Sequence, residues 1–322
     1  MKVVTFGEIM MRLNPVGYGR FLQADTWEGT YAGSEANVAV SLAQFGITAE
    51  YITKLPANEL GDAALNSLRR FGVTVDRVLR GGARLGVYFL EKGAAQRGGK
   101  VIYDRAGSAI ATAEREEFDW DALLAGADWF HLSGITPALS PALAVAALDA
   151  VKAAKARGIT VSIDLNYRSK LWSLDKAREV LGEILPYVDY CKDPFFYEDG
   201  SQDLSEIAAR MMRDFSLRGV AVTMRTAHSA NDHTFGARYY TPDGVFESRN
   251  YDMHVVDRVG GGDAFMAGWI YALLEGYDAG RAVEFATAAA CLKHTIEGDF
   301  NLASVAEVST LAEGGLGGRV QR

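Results

Sequence analysis

The chain has 322 residues, about half of them hydrophobic, which is enough for a large buried core. Its net charge of −8 argues against nucleic acid or an anionic membrane as a partner, and no apolar run reaches the roughly 18 residues of a membrane span. The two cysteines, Cys191 and Cys291, stand far apart in no CxxC pattern, as expected of reduced thiols in a cytoplasmic protein.

The opening run MKVVTFGEIM is too short and too punctuated for a signal peptide and reads as a strand over residues 2–8. Residues 12–31 are strand-like and glycine-punctuated, with no helical pattern, and are followed by a helix over 35–45, a strand over 50–53 and a helix over 62–71. A second helix-poor region, 84–103, resembles the first. Strands over 128–132, 160–164, 188–191 and 219–224 then alternate with helices over 141–157, 176–185 and 204–215. A hairpin pattern at 235–240 and 245–251 surrounds Thr241-Pro242-Asp243-Gly244, and helices follow over 264–274, 281–295 and 304–311. The Gly- and Arg-rich tail 313–322 is expected to fray. This β-α-β alternation indicates a mostly parallel sheet with helices on both faces, into which 12–31 and 84–103 insert a small second sheet. There is no internal repeat and no linker that would separate independent domains.

One stretch stands out chemically: VDRVGGGDAFMAG, residues 256–268. Consecutive glycines let backbone N–H groups approach a ligand with no Cβ in the way, and a following helix N-terminus adds positive potential. Together Gly260, Gly261 and Gly262 form a hollow suited to phosphate oxygens. Asp263, in the first helical turn, cannot itself hold a phosphate, because like charges repel. It makes sense facing a neutral hydroxyl that loses its proton during phosphoryl transfer.

The same stretch resembles the C-terminal signature of the ribokinase-like (PfkB) family of carbohydrate kinases, and Ala32-Gly33-Ser34-Glu35-Ala36-Asn37-Val38-Ala39 resembles its N-terminal partner. The resemblance implies a three-layer α/β/α core with a small β-sheet lid. Within the family, TKLP with Gly61, GVYF at 86–89, YDRAGSA at 103–109, DLNYR at 164–168, Arg258 and CLKHTIEGDFN at 291–301 are similar to the branch that phosphorylates the sugar acid 2-keto-3-deoxygluconate.

By that resemblance Asp263 is the base and the three glycines are the anion hole. Gly33 and Asn37 contact sugar hydroxyls, while Tyr88, Tyr103, Arg105, Arg168 and Asp299 complete the sugar-acid site. A guanidinium can recognise a carboxylate bidentately, which suits Arg105. The nucleotide falls to Asn166, Arg168, Thr223, Arg225, Ser229, Gly260, Gly262 and His294, with the polar run 223–232 read as a loop. His228 and His233 read as loop residues rather than metal ligands. The resemblance implies ATP and Mg2+ as cofactors, a monovalent cation near the phosphates, and a homo-oligomer paired through exposed lid edges.

One departure is visible. Where the family carries an Asn-x-x-Glu element linked to magnesium, this chain reads Lys192-Asp193-Pro194-Phe195-Phe196-Tyr197-Glu198-Asp199, leaving Glu198 or Asp199 to supply a carboxylate through water. A P-loop is a poor fit, since GAAQRGGKV at 93–101 has the wrong spacing, lacks the final hydroxyl and lies in the lid region. A nicotinamide enzyme is a poor fit, because no GxGxxG follows the first strand. Two alternatives to a sugar-acid kinase stay open: a kinase of neutral sugars of the fructokinase or ribokinase type, and a sugar or nucleotide sensor without catalysis.

Overall fold

Short runs rich in valine and aromatic residues form the strands, and alanine-rich amphipathic runs form the helices that cover them. A computed structural model describes residues 1–195 and 203–315. Its strands are β1 (Lys2–Phe6), β2 (Met10–Pro15), β3 (Trp27–Ala32), β4 (Thr48–Ile52), β5 (Lys54–Leu55), β6 (Leu79–Arg80), β7 (Val87–Glu91), β8 (Lys100–Asp104), β9 (Trp129–Ser133), β10 (Thr160–Asp164), β11 (Tyr190–Lys192), β12 (Gly219–Ala227), β13 (Asp232–Thr241), β14 (Gly244–Glu247) and β15 (Tyr251–His254). The helices are α1 (Ser34–Gln44), α2 (Glu59–Arg69), α3 (Trp120–Leu123), α4 (Pro141–Ala156), α5 (Leu174–Ile184), α6 (Leu204–Phe215), α7 (Gly261–Leu274), α8 (Ala279–His294) and α9 (Val305–Ala312).

The large sheet runs β14-β13-β12-β11-β10-β9-β1-β4, with β15 also paired to β13. From β4 to β12 every pairing is parallel, and β13, β14 and β15 close one edge in antiparallel fashion. One core cluster packs α1, α2, α7 and α8 against one face, and a second packs α3, α4, α5 and α6 against the other. The chain leaves β1 for β4 on one side and reaches β9 on the other, so the strand order reverses at β1. Such a switch point, beyond the C-terminal strand ends, is where open α/β sheets bind ligands. Over that end lies a four-stranded sheet in the order β3-β2-β7-β8.

Helix α7 is buried nearly all round, which its composition of Ala, Gly, Phe, Met and Trp permits. Gly268 lets α8 approach closely, since a Cβ there would sit 3.0 Å from the Ala286 Cα. This packing fixes the helix whose first turn carries the glycine run. The polar run 223–232 differs from its reading as a loop. Strand β12 continues through Ala227 and β13 begins at Asp232, because the two strands pair all the way to Ala227↔His233. Cross-strand pairing carries the strand to Ala227, and the turn chemistry of Ser229 and Asn231 is confined to residues 228–231. His233 accordingly lies buried on β13, while His228 stays exposed at the turn. Both cysteines are buried free thiols. Residues 316–322 of the tail expected to fray, and Glu198 and Asp199, lie outside the described residues.

Candidate active site

A cleft of about 1930 Å³ opens between the strand ends and the small sheet. A pocket for one small ligand takes roughly 300–1,000 Å³, so two molecules fit here side by side. Its walls include Gly33, Asn37, Tyr88, Tyr103, Arg105 and Asp299 at one end, and Thr223, Arg225, Ser229 and the 260–263 turn at the other.

The glycine turn is built as its chemistry requires, with each glycine needed for a different reason. Gly260 caps α7 in the left-handed region (φ 85°), and a Cβ on it would meet the Asp299 carbonyl oxygen at 2.0 Å. A Cβ on Gly261 would strike the His294 ring at 2.2 Å. At Gly262 the first atom met is Lys192 Nζ, 3.7 Å away, so this glycine opens toward the cleft rather than being forced by packing.

Asp263 follows in the first turn of α7. Ser34 Oγ donates to its Oδ1 and Asn37 Nδ2 donates to its Oδ2, each at 2.7 Å. Burial pushes this carboxyl up to about 6, against the downward pull of the Asn37 and Ser34 hydrogen bonds. A carboxylate oxygen can accept more than one hydrogen bond, so Asp263 is oriented and still able to take a proton. Asn37 is itself fixed, its Oδ1 accepting from the Gly33 amide at 3.3 Å. Gly33 is dictated by close approach, since a Cβ there would lie 1.9 Å from the Glu8 carbonyl oxygen. Asn37 therefore positions Asp263, which differs from direct contact with a sugar hydroxyl. Ser34, given no role from sequence, does the same. Its only signal was its place beside Gly33 in the N-terminal signature.

Beneath α1, the Glu35 carboxylate accepts from the Ser133 amide, Ser133 Oγ and Thr136 Oγ1 at 2.9, 2.6 and 2.8 Å. Burial pushes Glu35 up to about 7 despite these donors. It ties the helix that bears Ser34 and Asn37 to the end of β9.

The remaining sugar-site candidates differ from one another. Tyr88 and Tyr103 pair across β7 and β8 with ring centroids 6.0 Å apart, and Tyr103 is the exposed member. Tyr88 donates its hydroxyl to Asp299 Oδ2 at 2.7 Å. The other oxygen of Asp299 accepts from Arg12 Nη1 at 2.5 Å, and Arg12 Nη2 reaches Asp257 at 2.6 Å. Asp299 thus borders the cleft with one hydrogen bond on each oxygen, anchoring Arg12 and Tyr88. Arg12, 1% exposed, escaped notice because an arginine in a strand-like run reads as solvated. Arg105 lies just past β8 over the Tyr103 ring, and its Nε donates to Glu8 at 2.7 Å, with Nη2 on the same carboxylate. It is therefore a paired cation with one edge left toward the cleft, and not the free fork expected. Arg168 is exposed on the cleft wall and, among the described residues, donates only to the neighbouring Tyr167 carbonyl at 3.3 Å.

On the nucleotide side, Thr223 donates its amide and hydroxyl to Asp193 Oδ1 at 2.9 and 3.1 Å. Asn166 (φ 40°) and Asp193 (φ 53°) hold left-handed backbone at the ends of β10 and β11, strain that collects at functional sites. Asn166 Nδ2 reaches Ser34 Oγ at 3.5 Å, so it sits beside the Asp263 cluster. Ser229 closes its own turn by donating to Asp232 Oδ2 at 2.7 Å. His294 is fully buried behind the wall, which corrects the expectation that it touches the nucleotide. Its Nδ1 lies 2.6 Å from the Ala290 carbonyl and so carries the proton, leaving Nε2 to accept from Arg225 Nη2 at 3.1 Å. Burial, with Arg225 nearby, pushes the imidazole down to about 3 and keeps it neutral. Arg225 is the reverse case. It has no carboxylate partner among the described residues, and burial, with Arg258 close by, pushes it down to about 10. An anion arriving beside it would relieve that strain.

Lys192 was noticed in sequence only as part of a departure. In the structure it is 3% exposed and forms the cleft floor, its Nζ donating to Asp164 Oδ2 at 3.0 Å and Asp193 Oδ2 at 2.5 Å. Burial opposes its charge, but Asp164 and Asp193 on either side outweigh that and keep it protonated.

A glycine anion hole beside an oriented carboxylate, at the switch point of a parallel sheet and under a small β-sheet, defines a phosphotransferase of the ribokinase-like kind. The sequence pattern of the family described as pfkB family carbohydrate kinase matches residues 1–192 and 234–302, and the chain belongs to that family. A 2-dehydro-3-deoxygalactonokinase of Haloferax volcanii is 36% identical over 98% of this chain and 97% of its own length. A 2-dehydro-3-deoxygluconokinase of Bacillus subtilis is 29% identical over 94% of this chain and 92% of its own. The crystal structure of a 2-dehydro-3-deoxygluconokinase from Thermotoga maritima superposes with a TM-score of 0.93 at 46% identity, covering 97% of this chain and 99% of that one.

Proposed function

We propose that the protein transfers the terminal phosphoryl group of ATP to a hydroxyl of a 2-keto-3-deoxy sugar acid, 2-keto-3-deoxygluconate giving its 6-phosphate. The observation that carries this reading is Asp263, held by Ser34 and Asn37, one residue beyond the open face of Gly262. The acceptor hydroxyl gives its proton to Asp263 as its oxygen bonds to phosphorus and the bond to ADP breaks. Charge on the transferring group meets the amides of the 260–262 turn and the start of α7. The sugar lies under Tyr88 and Tyr103, with its carboxylate toward Arg168 and the free edge of Arg105. The nucleotide lies along Thr223, Arg225 and Ser229.

Magnesium fits here as a companion of ATP. Among the described residues no three acidic, histidine or cysteine side chains gather into a metal site. Mg2+ commonly keeps several waters and binds through one or two carboxylates plus substrate phosphates. When bound, it neutralises charge on the phosphates. Among the described residues no helix is long and apolar enough to cross a membrane. The edge strand β8, with Ile102 and Tyr103 exposed, supports pairing with a second copy.

A coupled ADP-release assay tests the substrate class. With ATP and magnesium, 2-keto-3-deoxygluconate and its galactonate epimer are expected to exceed fructose and ribose in kcat/KM by at least about 100-fold, the worth of a charged pair. Arg168→Met is expected to remove most of that preference while leaving activity on neutral sugars little changed. Equal turnover of acids and neutral sugars would refute the sugar-acid reading. Saturable ATP binding with no ADP release on any sugar would favour a sensor instead.

A further inference from the structure

We propose that Lys192 is a tethered cation of the phosphoryl-transfer site: held by Asp164 and Asp193 against the open face of Gly262, its ammonium contacts the terminal phosphate of the nucleotide. The inference rests on the kinase reading above. An ammonium carries three donors. Two are spent, on Asp164 Oδ2 and Asp193 Oδ2, and the third has no acceptor among the described residues. Nζ also faces Gly262, where a Cβ would stand 3.7 Å away. Lys192 is thus a buried charge with an unspent donor beside the anion hole and close to Asp263.

Its two partners matter as much. Asp164 and Asp193 are the carboxylates at the ends of β10 and β11, where a protein-bound Mg2+ would find ligands next to the phosphates. Here the ammonium already bridges them, and a divalent ion in the same place would meet its positive charge at short range. Asp193 is held in turn by the Thr223 amide and hydroxyl and adopts left-handed backbone, so the arrangement is fixed before a ligand arrives. Asp164 and Lys192 lie inside the stretch 1–192 that matches the family pattern, and Asp193 lies just beyond it. In the transfer step the ammonium keeps its proton and the acceptor's proton goes to Asp263. As phosphorus passes from ADP to the acceptor oxygen, Lys192 stays beside its oxygens. Part of the charge neutralisation left to a metal elsewhere is then supplied by the chain.

The test is binding of the β,γ-imido analogue of ATP, and of ADP, by calorimetry in excess EDTA and in magnesium. The wild-type protein is expected to bind the analogue in EDTA within about 10-fold of its affinity in magnesium. Lys192→Met is expected to weaken binding in EDTA by about 10–100-fold, the worth of one hydrogen bond between charged groups. ADP, lacking the contacted phosphate, should change far less, and Lys192→Arg should retain binding in EDTA. A purely structural lysine would leave wild-type binding of the analogue dependent on magnesium. Wild-type binding that requires magnesium, or a Lys192→Met protein that binds the analogue unchanged in EDTA, would overturn the inference and leave the kinase reading intact. If Lys192→Met does not fold, the wild-type ratio and Lys192→Arg decide alone. No binding of the analogue in either medium would bring down both readings.

Discussion

Replacing Asp263 by Asn should weaken catalysis and strengthen the fold, with a pH signature linking the two. Turnover is expected to fall by about 10²–10⁴, the usual contribution of a positioned proton acceptor. The folded carboxyl is raised from 3.8 to about 6, so ionising it inside the protein costs close to 3 kcal/mol at pH values above both figures. A raised pKa contributes stability that is fully present below about 4 and lost as pH climbs through about 6. Asparagine removes the charge but offers only one acceptor to Ser34 and Asn37, which returns about 1–2 kcal/mol of that gain. The variant should therefore be more stable than wild type by about 1–2 kcal/mol at pH 7.5, and the difference should shrink toward pH 4. Denaturant melts across that range, beside a kcat/KM profile whose acid limb falls near pH 6, measure both halves. Near-normal turnover removes Asp263 from the chemistry. A stability difference independent of pH refutes the buried, oriented carboxylate.

The two neighbouring glycines should separate folding from function. Gly261→Ala meets the buried His294 ring and should cost about 1–3 kcal/mol in a thermal or denaturant melt. Gly262→Ala finds ordinary space and should melt like wild type while losing most of its kcat. Arg225→Met removes a half-buried cation that has no carboxylate partner among the described residues, so it should raise the KM for ATP by about 10–100-fold with little loss of stability. Arg12→Met leaves Asp257 and Asp299 buried without their counter-charge, and should cost about 3–5 kcal/mol in a denaturant melt.

Much of the fold was legible because local signals agreed with one another. β-rich runs alternating with alanine-rich helices specify a parallel sheet wherever they occur, and three glycines before an aspartate need only local chemistry to read. The pairings that were missed share a different property, since the partners lie far away in sequence. Arg12 finds Asp257 and Asp299 from 245 and 287 residues away, and Arg105 finds Glu8 across 97. In a strand-like run Arg12 looks like a solvated charge and Arg105 like a free fork, and only the closing of the small sheet over the strand ends brings each to its carboxylate. The polar run 223–232 was misread only at its ends. Its turn residues 228–231 do form the turn, but pairing of β12 with β13 carries strand structure on either side to Ala227 and Asp232.

Those long-range pairs also explain how the two halves of the cleft are kept in register. Strand β2 brings Arg12 from the small sheet to Asp257, three residues before Gly260. The same guanidinium holds Asp299, whose carbonyl oxygen is the atom a side chain at Gly260 would strike. Tyr88, on the neighbouring strand β7, adds its hydroxyl to Asp299. From the helix side, Lys293 of α8 donates to the Asp257 and Ile296 carbonyls at 3.2 and 3.1 Å. The small sheet is thereby wired to the glycine turn through buried charges that cannot part cheaply. On the proposed function, any movement of the small sheet would pull on residues 257 and 299, so the two ends of the cleft would adjust together rather than independently.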